Sequence, residues 1–393
     1  MSLETIFLGK KLINPFILAS APPTKDYEGI INGFKAGWAG AVTKSVTEHV
    51  LVDKSPRIGH TKYYGKNLAT QNYEMGSIYG AECWVKTVNN IKNSYPDRLL
   101  LVSLFGGPDI SEWSRLSKKF KDTKADGYEL NFSCPHADHD GKGSVIGQNP
   151  ELCMDLTAAV REEVNYDKSI IVKLPYLSHP NEGYTSKKCI SAGADGVAAI
   201  NTIAGLSELD LNTGAPKLST AGLTTFGGFS GELIRPFARA SIANIAKSID
   251  FRTNHVSAMG GVSRNNDALI EYLLLGATTI QVCTDVMNNG YSIIDGLKSK
   301  LETYLKYRSL SLDRLRGNSL AYVVDWSLLD NVKRVSSVTS DCKACGACIT
   351  YCDYSAISKK DKEISIDVDK CDGCGSCASA CNNNGLELIS KKL

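Results

Sequence analysis

The sequence has 393 residues with 44 basic and 42 acidic side chains, which gives a formal net charge of +2. This balance excludes a general electrostatic attraction to nucleic acid or to an acidic membrane surface. No uncharged apolar stretch approaches the roughly 18 residues that a membrane-spanning helix needs. Residues 1–4 lack the basic and apolar segments of a signal peptide, so we expect a cytoplasmic protein.

Short apolar runs, separated by amphipathic stretches, follow one another along most of the chain. The eight runs are Phe16–Ser20, Ala41–Ser45, Leu99–Phe105, Tyr128–Phe132, Ile170–Leu174, Gly196–Asn201, His255–Met259 and Thr278–Cys283. Helical patterns lie between most of them, for example at Pro150–Glu163, Ile234–Ser248 and Asn265–Leu275. The alternation predicts parallel strands, and eight such units in about 300 residues match a closed (β/α)8 TIM barrel of the α/β class. A doubly wound open sheet is the alternative.

Polar or glycine residues lie at the carboxyl ends of these runs, which is the active-site face of such a barrel. Two of them are lysines embedded in apolar sequence, in Val42-Thr43-Lys44 and Ile171-Val172-Lys173. A lysine in such a position is buried and needs an anionic or acceptor partner.

Eight of the 13 cysteines lie between residues 342 and 381. They form two Cys-x2-Cys-x2-Cys-x3-Cys runs, the spacing of two-cluster ferredoxins in which the fourth cysteine of each run ligates the other cluster. The predicted ligands are Cys342, Cys345, Cys348 and Cys381 for one [4Fe-4S] cluster, and Cys371, Cys374, Cys377 and Cys352 for the second. A pair of zinc sites is the alternative, although such sites usually pair two Cys-x2-Cys halves.

The predicted domains are a barrel over residues 1–307, a connector over 308–340 and a ferredoxin-like two-cluster domain over 341–393. Within the connector, Ser327–Val335 has a helical pattern. Because iron–sulfur clusters transfer single electrons, we expect the barrel to hold a cofactor that converts them into a two-electron step. No Gly-x-Gly-x-x-Gly follows a predicted strand, so we expect electrons to pass through the clusters to a separate partner.

The segment Asn131-Phe132-Ser133-Cys134-Pro135-His136 ends a predicted strand and enters a polar, glycine-rich loop. Cys134 is either a general acid or base on the active-site face or a small buried hydrophobe. The segment resembles the active-site segment of the FMN-dependent dihydropyrimidine dehydrogenases, which are relatives of the class 1 dihydroorotate dehydrogenases. The similarity covers nearly the whole chain and is greatest to the FMN/iron–sulfur subunits of bacterial NAD-dependent members. It continues through Asn14-Pro15-Phe16, Thr43-Lys44, Ser55-Pro56-Arg57, Gly227-Gly228-Phe229-Ser230-Gly231, Gly260-Gly261, Gln281-Val282-Cys283 and the two-cluster module.

The resemblance implies a role for each matching residue. Cys134 would exchange a proton with carbon 5 of a pyrimidine ring, while FMN exchanges a hydride with carbon 6. The residues implied at the flavin and its phosphate are Ser20, Lys44, Ser45, Lys173, Ser230, Gly231, Gly260, Gly261, Cys283 and Thr284. The residues implied at the pyrimidine are Asn72, Glu74, Asn131, Ser133, Asn201 and Thr202.

The resemblance also implies a partner, either an NAD- and FAD-binding reductase subunit or a free ferredoxin or flavodoxin, and a homodimer or heteromer. Two features depart from the family pattern. The loop Ala137–Gly143 differs in composition, and Gly76 replaces a larger apolar residue, which is expected to enlarge the pocket. The expected substrate is uracil or thymine. The alternative substrates are dihydroorotate and another imide ring. The alternative to an enzyme is a non-catalytic electron-transfer adaptor.

Overall fold

The computed structural model describes residues 2–134, 143–178, 180–330 and 332–390. The chain forms two compact units that divide between Val323 and Val324. Among the described residues, no helix is both long and apolar enough to cross a membrane.

The first unit is built on a closed barrel of eight parallel strands. The strands are Phe16–Leu18, Gly40–Val42, Leu99–Leu104, Gly127–Asn131, Ser169–Leu174, Gly196–Ala199, His255–Ala258 and Thr279–Val282. Each strand pairs with the next along the chain, and the eighth pairs in parallel with the first, from Ile280 opposite Phe16 to Val282 opposite Leu18. The predicted TIM barrel is therefore confirmed, and the open sheet is excluded.

Helices follow the strands and cover the outside of the barrel. They are Tyr27–Ala36, Ala81–Ser94, Ile110–Phe120, Pro150–Val164, Asn181–Ser191, Arg235–Ser248, Ala268–Leu274 and Ile293–Arg308, with short helices at Ser144–Gly147, Thr284–Asn289 and Leu312–Leu315. The Asn149-Pro150 start is a regular helix cap, because the Asn149 side chain accepts a hydrogen bond from the Leu152 amide. This cap fixes where the helix after barrel strand 4 begins.

The barrel interior is packed with apolar side chains below the active-site face. Ile17, Val42, Leu101 and Ile171 belong to one buried cluster inside the ring. Two short strands, Thr5–Phe7 and Lys10–Leu12, form an antiparallel hairpin that adds Phe7 and Leu12 to this cluster. The interior is thus a packed core rather than a pore, and active sites of such barrels lie on the carboxyl-end face.

A small antiparallel sheet, which the sequence analysis does not predict, lies in the first unit outside the barrel. Its strands run in the order Ile203–Gly205, Gly227–Ser230, Lys66–Asn72 and Ile58–Tyr63. Two strands come from the segment after barrel strand 2 and two from the segment after barrel strand 6. The sheet therefore joins two distant active-site loops and places Asn72 opposite Gly228.

The second unit contains two antiparallel strand pairs and two single-turn helices. Arg334–Val338 pairs with Leu386–Ser390, Ile357–Lys360 pairs with Glu363–Ile366, and the helices are Ala347–Thr350 and Ser376–Ser379. The first of these strands lies within residues 308–340, the range that the sequence analysis assigns to a connector.

The helix predicted over Ser327–Val335 is wrong in the part of that range that the structure describes. A 3-10 turn at Trp326–Leu328 is followed by strand Arg334–Val338. The reason is tertiary, because Val335 is buried in a cluster with Ala356 and Cys371, and its β-branched side chain suits a strand.

Three barrel strands begin with a glycine because the neighbouring strand passes too close for a side chain. A Cβ on Gly127 would lie 2.2 Å from the Ser169 carbonyl oxygen, and one on Gly196 would lie 2.5 Å from that of His255. Gly40 is enclosed in the same way by Ile17 and Leu99. A methyl group at these positions would push apart paired strands.

We expect Gly127→Ala to destabilise the barrel by about 3 kcal/mol, the upper end for overpacking a core. Gly80→Ala is the control, since its Cβ would meet only Val50 Cγ2 at an ordinary 3.7 Å. Urea unfolding followed by tryptophan emission measures both, because Trp38, Trp84 and Trp113 are fully buried in this unit. Equal midpoints for the two variants would contradict the packing argument.

Candidate active site and cluster module

A pocket lies at the carboxyl ends of the barrel strands. Most of the residues implied by the resemblance line it. They are Ser20, Lys44, Ser45, Asn72, Glu74, Asn131, Cys134, Lys173, Asn201, Thr202, Ser230, Gly260, Gly261, Cys283 and Thr284. Ser133 and Gly231 are not in its lining, but both touch residues that are.

Lys44 has the anionic partner that its burial demands. Its Nζ lies 2.7 Å from Oε2 of Glu74, and both side chains are about one-tenth exposed. Arg57 donates to the other oxygen of Glu74, and Arg57 Nε also lies 3.4 Å from Asp53 Oδ2. Burial alone would raise the pKa of Glu74, but Lys44 and Arg57 outweigh it and hold that pKa below its ordinary value. The Glu74 carboxylate therefore joins a buried cation to a partly exposed one.

Lys173 lies near a second carboxylate that the sequence analysis missed. Glu129 is fully buried in barrel strand 4, with Oε1 3.7 Å from Lys173 Nζ and Oε2 accepting a 2.8 Å hydrogen bond from Gln281. Within the described residues, Glu129 Oε1 and Gln281 Oε1 have no hydrogen-bond partner. Glu129 is a charged residue inside an apolar run, as Lys44 and Lys173 are. Its sequence position therefore indicates a buried charge that needs a partner, as theirs do.

A chain of hydrogen bonds orients the polar side chains across the pocket. Asn131 donates to Ser45 Oγ at 3.0 Å and accepts from Ser133 Oγ at 2.8 Å, and Asn201 donates to Ser133 Oγ at 3.0 Å. Ser20 Oγ lies 3.3 Å from Ser45 Oγ at the other end. Side chains from four barrel strand ends are thereby fixed relative to one another.

The Asn72 carboxamide binds backbone on both sides. Its nitrogen donates to the Gly228 carbonyl at 3.0 Å, and its oxygen accepts from the Glu74 amide at 3.1 Å. Asn72 therefore connects the small sheet to the turn that carries Glu74. This contact gives Asn72 a structural role in addition to the substrate contact implied by the resemblance.

Cys134 lies just past barrel strand 4 and is 8% exposed. It packs in an apolar cluster with Phe105 and Leu51. Its carbonyl accepts from the Ser144 amide at 2.9 Å, and a Cβ on Gly143 would lie only 2.1 Å from that oxygen. Gly143 also has φ +68°, so this close return of the chain requires glycine. Residues 135–142, which contain most of the divergent loop, lie outside the described residues.

The expectation that Gly76 enlarges the pocket is wrong. Gly76 is not in the pocket lining, and a Cβ there would lie 3.0 Å from the Ser45 carbonyl oxygen and 3.4 Å from Leu51 Cδ1. The glycine instead lets the chain after Glu74 pass close to the Ser45 backbone, where the Ser77 amide donates to that carbonyl at 2.7 Å.

One end of the pocket is formed by glycines and small polar side chains. Gly231, Gly260 and Gly261 all have positive φ, and a Cβ on Gly261 would lie 2.6 Å from the Gly231 carbonyl oxygen. Thr284 donates to Ser230 Oγ at 2.9 Å. Bare backbone and hydroxyl groups of this kind suit a phosphate group.

The second unit gathers cysteines from both runs. Cys352 lies in one concave site with Cys371, Cys374 and Cys377. This is the set predicted for the second cluster, with the fourth cysteine taken from the first run. In the other set, a Cβ on Gly385 would lie 2.8 Å from Cys342 Cα, and the Gly385 amide donates to Cys381 Sγ at 3.2 Å.

Backbone amides donate to several of these sulfurs, including Ala344 to Cys342 and Ala356 to Cys352. Amide hydrogen bonds to sulfur are a recurring feature of iron–sulfur sites. Among the described residues, no three His, Cys, Asp or Glu side chains are arranged to hold a metal ion. The spacing of the eight cysteines and the gathering of four of them in one concave site favour two clusters.

The sequence model of the dihydroorotate dehydrogenase family matches residues 2–305, and that of the 4Fe-4S dicluster domain matches residues 334–382. The chain belongs to the dihydroorotate dehydrogenase family. It carries an iron–sulfur domain in addition to the family barrel, and it is an oxidoreductase.

Individual relatives fall into two groups. The NAD-dependent dihydropyrimidine dehydrogenase subunit PreA of Escherichia coli is 32% identical over 89% of this chain and 85% of its own length. The chloroplastic dihydropyrimidine dehydrogenase (NADP(+)) of Arabidopsis thaliana is 31% identical over 86% and 80%. The catalytic subunit of dihydroorotate dehydrogenase B (NAD(+)) from Pyrococcus abyssi is 34% identical over 79% of this chain and 96% of its own length.

Cys283 offers a direct test of burial in the pocket. Burial raises the pKa of its thiol to about 11, against a smaller lowering by Lys173 and Lys44. At pH 8 only about one thiol in a thousand would be ionised, so we expect slow alkylation of Cys283 by iodoacetamide, accelerating as the pH approaches 11. Exposed Cys83 is the comparison within the same chain, and peptide mass spectrometry measures both. Equally fast labelling of both thiols at pH 8 would contradict the raised pKa of the Cys283 thiol.

Proposed function

We propose that the chain interconverts uracil or thymine with the 5,6-dihydro form of the base. The observation that carries the proposal is that Asn131 and Asn201, joined by hydrogen bonds through Ser133, line the same pocket as Cys134. Carboxamides and hydroxyls offer donors and acceptors that complement the imide edge of an uncharged pyrimidine. The similarity to dihydropyrimidine dehydrogenases over both units supports it.

FMN is the cofactor that we propose for the pocket. The residues fit it, because the Lys173 ammonium lines the pocket while lying 3.7 Å from Glu129, beyond hydrogen-bond distance, and keeps its donors for a bound group. Lys44 and Lys173 would hold the ring's electronegative edge, and Gly231, Gly260 and Thr284 would hold the phosphate. Bound FMN would supply hydride exchange with carbon 6 of the pyrimidine.

Cys134 holds the proton that is exchanged with carbon 5. Phe105 and Leu51 pack against Cys134 in an apolar cluster, a setting that favours the neutral thiol. Asn131 and Asn201 orient the base, and their mutual hydrogen bonds through Ser133 lower the entropy lost on binding.

The cysteine module would carry electrons between the pocket and a partner protein. We propose the two ligand sets Cys342, Cys345, Cys348, Cys381 and Cys371, Cys374, Cys377, Cys352. The partner would be an NAD- and FAD-binding reductase subunit, or a ferredoxin or flavodoxin, in a homodimeric or heteromeric assembly. A cytoplasmic location fits the thiols, because no disulfide joins any of the cysteines, all of which the structure describes.

Dihydroorotate oxidation is the second candidate, favoured by the 34% identity to the Pyrococcus abyssi subunit. Orotate carries a carboxylate that needs a cation. Lys44 in the pocket and Arg57 outside its lining both donate to Glu74, so these two cations are already paired with a carboxylate of the protein. An adaptor without activity would have no use for Lys44, Lys173 and Cys134 gathered in one pocket.

Anaerobic reduction of the purified holoprotein tests the proposal. Dihydrouracil, dihydrothymine and dihydroorotate are added separately, and flavin absorbance is followed. We expect bleaching by a dihydropyrimidine in the absence of any partner. Bleaching by dihydroorotate alone would move the activity to the second candidate, and bleaching by none of the three would remove this substrate class.

Cys134→Ala tests the proton-transfer role. General acid–base catalysis contributes roughly 10²–10⁴-fold, so we expect dihydropyrimidine-driven bleaching to slow by at least about 100-fold with flavin still bound. Cys83→Ala is the control, because Cys83 is exposed on helix Ala81–Ser94. Stopped-flow absorbance measures both rates. Unchanged bleaching in Cys134→Ala would remove Cys134 from the mechanism.

A further inference from the structure

Ser336 lies in the second unit against two of the gathered cysteines. It is 3% exposed, in the middle of strand Arg334–Val338. Its hydroxyl oxygen lies 2.9 Å from Cys377 Sγ, and its backbone amide donates to Cys371 Sγ at 3.4 Å. One residue thus contacts two sulfurs of the same proposed cluster, although it lies outside both cysteine runs.

A cysteine that ligates iron is a thiolate and has no proton to donate. In the loaded protein the Ser336 hydroxyl must therefore be the donor and Cys377 the acceptor. A hydrogen bond to a cluster thiolate favours the form with more negative charge, which is the reduced cluster. The low exposure of Ser336 keeps water from replacing its hydroxyl.

The two ligand sets differ in the hydrogen bonds that their sulfurs accept. The first set receives backbone amides, from Ala344 to Cys342 and from Gly385 to Cys381. The second receives backbone amides from Ala356 and Ser336, and the hydroxyl of Ser336 as well. Within the described residues, Ser336 is the one side chain with a hydrogen bond to a sulfur of either set.

We propose that Ser336 raises the reduction potential of the cluster held by Cys371, Cys374, Cys377 and Cys352. The higher potential makes this cluster a preferred electron acceptor. Each cluster accepts one electron, and no bond forms or breaks. The inference rests on the ligand sets given under the proposed function and is independent of the substrate. Ser336 acts through a ligand and is a positioning residue, not a catalytic one.

The test is an EPR-monitored redox titration of the full-length protein with both clusters loaded. We expect Ser336→Ala to lower the equilibrium constant for reducing one cluster by about threefold to tenfold, where tenfold corresponds to about 59 mV for one electron. The potential of the other cluster stays unchanged. Ser337→Ala is the matched control, because the adjacent side chain on a strand points to the opposite face; it leaves both potentials at the parent values.

Thr and Val at position 336 keep the test decisive if alanine impairs folding. The two side chains have nearly the same shape and differ in the hydroxyl, and both suit a strand. We expect Ser336→Thr to keep the parent potential and Ser336→Val to lower it. If both variants load their clusters and the reduction potential of each cluster is the same in the Thr and the Val variant, the role of Ser336 is overturned. A parent protein that binds no clusters would overturn the ligand sets themselves, which distinguishes the two failures.

Discussion

Two lysine ammonium groups buried at the open end of the barrel constrain the rest of the site. A buried charge is tolerated only beside a compensating group. Lys44 has Glu74 at 2.7 Å, whereas Lys173 has Glu129 at 3.7 Å and faces the pocket. Lys44 is thus held by a carboxylate of the protein, whereas Lys173 lies beyond hydrogen-bond distance of Glu129. Both ammonium groups line the pocket, which supports the FMN that we propose for it.

The pairing of Lys44 depends in turn on structure outside the barrel. Glu74 comes from the segment after barrel strand 2, and Asn72 fixes that segment to Gly228 in the small antiparallel sheet. The same sheet carries Ser230, which contacts Thr284 at the glycine-lined end. The sheet therefore connects the two ends of the pocket. A structural change in the loop after barrel strand 2 would shift the loop after barrel strand 6.

The barrel was predictable from the sequence because each strand is an apolar run closed by a polar residue, and a regular alternation leaves few topologies. The cysteine ligand sets remain a prediction from spacing, which is a local property of the sequence. Most of the pocket residues were predicted from the family resemblance. The periodicity of the chain could not have identified them. Glu129 was missed although its setting in an apolar strand matches that of Lys44 and Lys173.

Other features depend on tertiary contacts that no local pattern carries. The small sheet pairs strands about 160 residues apart, as Asn72 with Gly228 shows. Gly76 is enclosed by the Ser45 backbone, and a sequence cannot show which atoms surround a glycine. Ser336 lies in a strand that forms only because Leu386–Ser390 pairs with it.

We propose that the pocket recognises an uncharged pyrimidine beside the Lys44–Glu74 pair. The most direct measurement is the dissociation constant of uracil, thymine and orotate for the oxidised holoprotein, from the perturbation of its flavin absorbance. We expect uracil or thymine to bind at least about tenfold more tightly than orotate, because Lys44 and Arg57 already bind Glu74 and the orotate carboxylate would be repelled by that carboxylate. Orotate binding as tightly as either base would contradict it.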